Sequence, residues 1–224
     1  MKQTILFLSL LITLFSCEKK DETKKATIYS SGSEDAMIIN SSPRIVRDYV
    51  DGFNGMELRI GWDDNGMAMR AFLVFDLTSI QPPADEILEI EQMVLTIVES
   101  NTNLHPFDGD NGQRTVLVDI IDSPSVVSSL FNITPAASCG TIADWGYAAR
   151  KDYSLDITSE VKGFLNESNS TSNLMIRLRF YDDNNIANPD ESDLNSSTWN
   201  IYSGDEPSDD YKPRLTITYK HIEE

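Results

Sequence analysis

From Asp35 onward the chain carries short apolar runs separated by clusters of Gly, Asn, Asp, Pro and Ser, and two of those runs have opposite patterns. In Met69 to Leu77 both residue parities are apolar, Phe72 and Val74 alternating with Leu73 and Phe75. That is the pattern of a central strand covered on both sides. In Leu174 to Tyr181 the parities divide. Leu174, Ile176, Leu178 and Phe180 fall on one face and Met175, Arg177, Arg179 and Tyr181 on the other, because successive side chains of a strand point to opposite sides. This predicts a half-buried strand that carries two arginines on its open face.

The same reading predicts strands near Ala36 to Ile39, Met56 to Trp62, Glu91 to Glu99, Thr115 to Ile121, Tyr153 to Ile157, Thr198 to Tyr202 and Arg214 to Tyr219. Many short strands with turn punctuation and little helical periodicity give an all-β fold, an antiparallel β-sandwich with one or two short helices. The helices fall at Ser125 to Phe131, after Pro124, and at Thr158 to Asn166, with Thr158 as the expected cap. No internal repeat of twenty to fifty residues is visible, so the domain is read as one unit, residues 27–221.

Ahead of it the pattern changes. Lys2 is followed by an apolar run from Ile5 to Phe15 and then Ser16 and Cys17. A basic start, a short apolar core and a small residue before the cut describe a secretion signal. A cut before Cys17 leaves a thiol for lipid attachment, so residues 1–17 are read as a lipoprotein signal with Cys17 as the lipidation site; an ordinary signal with a coincidental cysteine is the alternative. Residues 18–26, through Lys24 and Lys25, are polar and are expected to be a flexible tether. This places the domain at the outer membrane or cell surface, with the lipid as its membrane contact.

Charge narrows the partners. With 36 acidic and 18 basic residues the net charge is −18, which disfavours nucleic acid and anionic lipid. With Cys17 lipidated only Cys139 remains, so no intrachain disulfide is expected, and Cys139 is read as a small hydrophobe. The two histidines, His105 in a polar loop and His221 near the end, give little material for a triad or a multi-histidine metal site. No Gly-x-Ser-x-Gly elbow or phosphate-binding glycine loop occurs, and no catalytic residue is assigned. Acidic clusters at Asp63-Asp64-Asn65-Gly66, Asp108-Gly109-Asp110-Asn111-Gly112 and Asp182-Asp183-Asn184-Asn185 offer oxygen ligands for a structural calcium. Solvated turns are the other reading, and none has EF-hand spacing.

Aromatic and arginine side chains offer more. Trp62, Trp145, Trp199, Tyr181 and Tyr202 are candidate platforms for a sugar ring, although tryptophan in a sandwich is commonly core. Arg59, Arg70, Arg177 and Arg179 lie in or at the start of predicted strands. In so acidic a protein they either pair with carboxylates or present forks to an anionic ligand.

Four stretches resemble the DNRLRE domain family, in order along the chain. They are Leu58-Arg59-Ile60-Gly61, Arg70 to Ile80 with its Phe75-Asp76-Leu77, Leu155 to Val161, and Lys212 to Tyr219 with its Pro213-Arg214-Leu215. The resemblance implies a jelly-roll carbohydrate-binding module without catalysis, of a type that binds the uronate polymer alginate. Arg59 and Arg70 match the family's strand arginines; Arg177 and Arg179 come from the alternation above. The family's tryptophan-rich middle is reduced here to Cys139 to Tyr147, with Trp145 alone.

The function expected from these readings is capture of acidic polysaccharide for neighbouring degrading enzymes or importers, with Arg59, Arg70, Arg177, Arg179, Tyr181 and Trp62 as ligand-binding residues. An adhesive or structural sandwich is the alternative, and an autonomous lyase or hydrolase comes last. The first two separate on one observation: arginines lining an open groove beside an aromatic favour sugar, arginines each closed onto a carboxylate favour adhesion. On the sugar reading, alanine at both Arg177 and Arg179 weakens binding at least about tenfold, roughly 1.4 kcal/mol, and leaves the melting temperature nearly unchanged.

Overall fold

The structure is a computed structural model that describes residues 22–47, 57–62, 67–100, 115–142, 151–167, 172–180 and 198–223. Its strands are β1 (Lys24–Tyr29), β2 (Ala36–Ile39), β3 (Ile45–Arg47), β4 (Glu57–Trp62), β5 (Ala68–Asp76), β6 (Glu86–Val98), β7 (Val116–Ile121), β8 (Ala137–Ile142), β9 (Asp152–Asp156), β10 (Asn173–Phe180), β11 (Thr198–Tyr202) and β12 (Arg214–Glu223); the one α-helix among these residues, α1, is Thr158–Glu167. Two antiparallel sheets form an all-β, jelly-roll-like sandwich. The smaller has the order β1-β12-β6-β9; the larger runs β11-β4-β5-β10-β7-β8, with β2 on β5 and β3 on β2. Among the described residues no helix is long and apolar enough to cross a membrane.

β5 is the centre of the large sheet and is buried from Ala68 through Phe75, as its two-faced apolar pattern requires. Between the sheets lie Leu58, Ile60, Leu73, Phe75, Leu178, Leu95, Ile97, Leu215 and Ile217, each with no exposed surface. Each such side chain contributes about 1.5–3 kcal/mol by leaving water. Aromatic contacts reinforce the seam: Trp62 stacks on Phe180 at 5.6 Å, and Tyr153 of β9 meets Trp199 of β11 edge-on at 5.2 Å. The sheets also join at one corner, where Glu99 bridges Ile201 and Ser100 N–H donates to the Asn200 carbonyl at 3.0 Å.

Several expectations change. β1 begins at Lys24 and pairs residue for residue with β12, from Lys24 opposite Tyr219 to Tyr29 opposite Arg214. Lys24 to Ala26 therefore belong to the sheet and are not part of a flexible tether, which corrects the expectation for the end of residues 18–26. β10 is buried almost throughout rather than on one face, including Arg177. Ser125 to Phe131 forms only a 3₁₀ turn at Ser128–Asn132. His221 lies inside β12, with Nε2 at 3.0 Å from the Ile80 carbonyl, so it is not at a frayed end.

Thr158 opens α1 but does not cap it. Its hydroxyl accepts the Met93 N–H of β6 at 2.8 Å, fixing the helix to the small sheet. Asp156 does the local work instead, its Oδ1 accepting the Thr158 N–H at 3.0 Å and the Thr158 hydroxyl. Those donors, the hydroxyl above all, hold the Asp156 carboxyl below its usual range.

Candidate functional site

The four in-strand arginines divide between two regions of the large sheet. In the first, β10 lies between β5 and β7, and Arg177 stands opposite Phe72 on one side and Asp119 on the other. Arg177 Nε and Nη2 donate to Asp119 Oδ2 at 3.2 and 2.7 Å, and Arg179 Nε donates to the same oxygen at 2.9 Å. One carboxylate thus joins two guanidiniums two residues apart on one strand face. The side chains of Arg177, Arg179 and Asp119 are 2, 12 and 1 % exposed.

What covers them is the β7–β8 connection. Its 3₁₀ turn buries Leu130 and Phe131 and crosses the face from which the arginines project. Arg177 Nη1 donates to the Ile133 carbonyl at 2.9 Å, and Arg70 donates to the Phe131 carbonyl. The Arg70 guanidinium also lies 4.0 Å from the Phe131 ring centroid, with Arg44 at 5.4 Å, within cation–π range. The arginines serve as fasteners for a strap. They form no open face, which corrects the expectation for Arg177 and Arg70, the latter 2 % exposed. Arg177 and Arg179 also meet the criterion set for adhesion, since they close onto a carboxylate.

The second region is the β4–β11 pair. Leu58 and Ile60 face Ile201 and Trp199 in register toward the other sheet, while Glu57 and Arg59 stand opposite Tyr202 and Asn200 on the opposite face, where Glu57, Asn200 and Tyr202 are buried as well. Asn200 Nδ2 donates to Glu57 Oε2 at 3.2 Å. Arg59 is half-buried. Tyr202 stacks on the half-buried Tyr211 with centroids 5.5 Å apart. A guanidinium, an amide, a carboxylate and a stacked aromatic pair are therefore carried by one strand pair and the loop that follows it. Of this set Arg59 and Tyr211 are half-buried and the rest buried, so it is the guanidinium and the Tyr211 ring that can meet a carboxylate or a sugar face.

The other candidates separate. Trp62, 2 % exposed, is core and not a platform, and so is Trp199, fully buried. Cys17, Tyr181, Trp145, His105 and the three acidic loops lie outside the described residues. Among the described residues no group of three or more His, Cys, Asp or Glu could hold a metal ion. Cys139 is buried, and burial first, then the Glu160 and Asp119 charges, push its thiol up to about 12. A thiol that stays protonated is a poor nucleophile. Two clefts of about 280 and 240 Å³ flank Pro124, one between Asp35, Val46 and Val74, the other beside Phe164; neither is lined by an arginine.

Glu57, Asn200 and Tyr211 were not among the sequence candidates. The alternation in Glu57 to Trp62 and in Thr198 to Tyr202 carries the signal for the first two. Tyr211 comes from a loop and had no local signal. In comparisons with known proteins, no family model matches the chain and no curated protein matches it.

Proposed function

We propose that the protein is a non-catalytic, lipid-anchored binding module of the outer membrane or cell surface that captures acidic, uronate-containing polysaccharide through the β4–β11 face. The observation that carries this reading is the placing of half-buried Arg59 beside the Tyr202–Tyr211 stack, in which Tyr211 is the half-buried ring. Arginine matches a carboxylate by two parallel hydrogen bonds, and a tyrosine ring matches the apolar side of a pyranose. The resemblance of the strand arginines to the DNRLRE family supports the same ligand class, and alginate is the first polymer to try. Degrading enzymes or importers on the same surface are the natural recipients.

Titration calorimetry with polyuronate tests it. Arg59→Ala and Tyr211→Ala are each expected to weaken binding at least about tenfold, roughly 1.4 kcal/mol. Parent protein that takes up no polyuronate ends the reading. The anchor has its own test: a fatty-acid label that survives Cys17→Ala would remove the lipoprotein assignment.

The adhesive reading is kept because Arg177 and Arg179 are closed onto Asp119. With Arg70 bonded to the Phe131 carbonyl as well, three of the four arginines are committed to the fold, as a scaffold that contacts protein or matrix would have them. Binding to matrix protein with no uronate binding would put it first.

A further inference from the structure

Asp35 precedes β2 and is 1 % exposed, yet among the described residues none of the groups acting on its carboxylate is a cation. Three donors from three segments converge on it. Ser30 Oγ donates to Oδ2 at 2.7 Å from the end of β1, Val74 N–H donates to Oδ1 at 2.9 Å from β5, and Gly204 N–H donates to Oδ2 at 2.8 Å from the turn after β11. Around it Ser31 N–H donates to the Val74 carbonyl at 2.8 Å and Ser30 N–H to the Pro213 carbonyl at 2.9 Å. The two connecting segments touch backbone to backbone: a Cβ on Gly204 would come within 2.1 Å of the Ser30 carbonyl oxygen. The carboxyl therefore sits where the first strand of the small sheet, the centre of the large sheet and the β11–β12 turn meet.

A buried carboxylate without a cation favours whatever conformation returns it to water, whereas the neutral acid has no such drive. The three bonds can also survive protonation, because Ser30 can rotate to accept the acid proton from Oδ2 while both backbone donors stay. The charged groups around it are the exposed Asp205, the exposed Glu34 next along the chain and the buried Glu206 of the same turn; Asp205 adds to the difficulty of ionising.

We propose that the Ser30–Asp35–Val74–Gly204 junction is a proton-operated latch, which holds β1 and the β11–β12 turn to the large sheet while Asp35 is neutral and loosens them when it ionises. The latch is independent of what the β4–β11 face binds. Burial, as the largest cause, raises the Asp35 carboxyl to about 7, with the three hydrogen bonds opposing. The sign follows: a folded value above the unfolded one gives stabilisation that is full below about 4 and is lost as pH rises to about 7.

Hydrogen exchange of the full chain between pH 5 and pH 8, corrected for the intrinsic base-catalysed rate, reads the opening directly. Opening at the Val74, Ser31 and Gly204 amides is expected to rise at least tenfold from pH 5 to pH 7 and then level off, while amides between β7 and β10 stay flat. Asp205→Asn should move the rise to lower pH without removing it, and Asp35→Asn should abolish it. His221→Gln should leave it in place, which separates the latch from histidine titration. If Asp35→Asn does not fold, the ¹³C shift of the Asp35 carboxyl in the parent decides. A midpoint near 7 supports the latch. A midpoint below 5, or equal pH dependence at the junction and the β7–β10 amides, overturns it.

Discussion

The β7–β10 cluster and the β4–β11 face start from the same sequence pattern, arginine alternating with apolar residues in a strand, and end in different states. Arg177 is 2 % exposed and shares Asp119 Oδ2 with Arg179; Arg59 is half-buried beside Asn200. The strands do not make the difference. It comes from the residues after β7, where Pro124 ends the strand direction and Leu130 and Phe131 supply apolar mass to lay back over the sheet. An arginine under such a cover has to satisfy its donors inside the protein. Alternation therefore assigns a face, and the connection decides how deeply an arginine on it is covered.

The sharpest test of the contrast is Asp119→Ala. It leaves two guanidiniums without their shared carboxylate in a buried site and should cost about 3–5 kcal/mol in urea unfolding. A loss under 1 kcal/mol would show that the cluster is wet and that the two regions are alike. Alanine at both Arg177 and Arg179 now belongs in this class too: a large fall in melting temperature replaces the unchanged value expected from the sequence. Next comes Arg177→Lys, which keeps the charge and loses the fork that spans Asp119 and the Ile133 carbonyl. One or two charge-assisted bonds at about 1.5–3 kcal/mol each set the scale, and the lower end is expected because Lys can still reach Asp119.

On the other side of the comparison, Arg59→Ala should change stability by less than about 1 kcal/mol while lowering polyuronate affinity. Equal losses in both would make the β4–β11 face another fastener. Arg214→Ala removes the exposed pair with Asp152, 2.8 Å apart and 23 and 49 % exposed, and calibrates the scale at about 0.5 kcal/mol or less. Smallest is a pH effect. The depressed Asp156 carboxyl contributes stability that is present above the unfolded value and is lost as pH falls below about 4. Asp156→Asn should flatten the acid limb of unfolding there, and an unchanged limb would count against the Thr158 bonds.

The strands with strong alternation or two-sided apolar runs were legible: β2 and β11 to the residue, β7 within one position at its start, and β5 and β10 within one position at both ends. Those read poorly depend on partners far away in sequence. β1, Lys24-Lys25-Ala26-Thr27-Ile28-Tyr29, buries only Ile28 fully and exists because β12 offers a complete ladder. β8 contains Gly140 at φ 109° within a register shift opposite Val118 and Asp119, so it reads as loop. Glu86 to Ile90 joins β6 because Tyr219 to Glu223 extend β12 beside it. The site was half legible for the same reason. Residue type and parity identified the arginines and the face each occupies, but burial under the 128–133 strap depends on a long-range fold-back with no periodic trace.

The β1–β12 ladder has a mechanical consequence. If the proposed anchor ahead of Lys24 and the proposed polymer binding both hold, a pull on bound polymer travels to the membrane through β1. Tension along that strand loads the six pairs from Lys24–Tyr219 to Tyr29–Arg214 together, in shear, so that no single hydrogen bond carries the force alone. Tension across it would open them one at a time from the Lys24 end. A domain that grips a long chain in moving water would hold or let go according to the direction of drag.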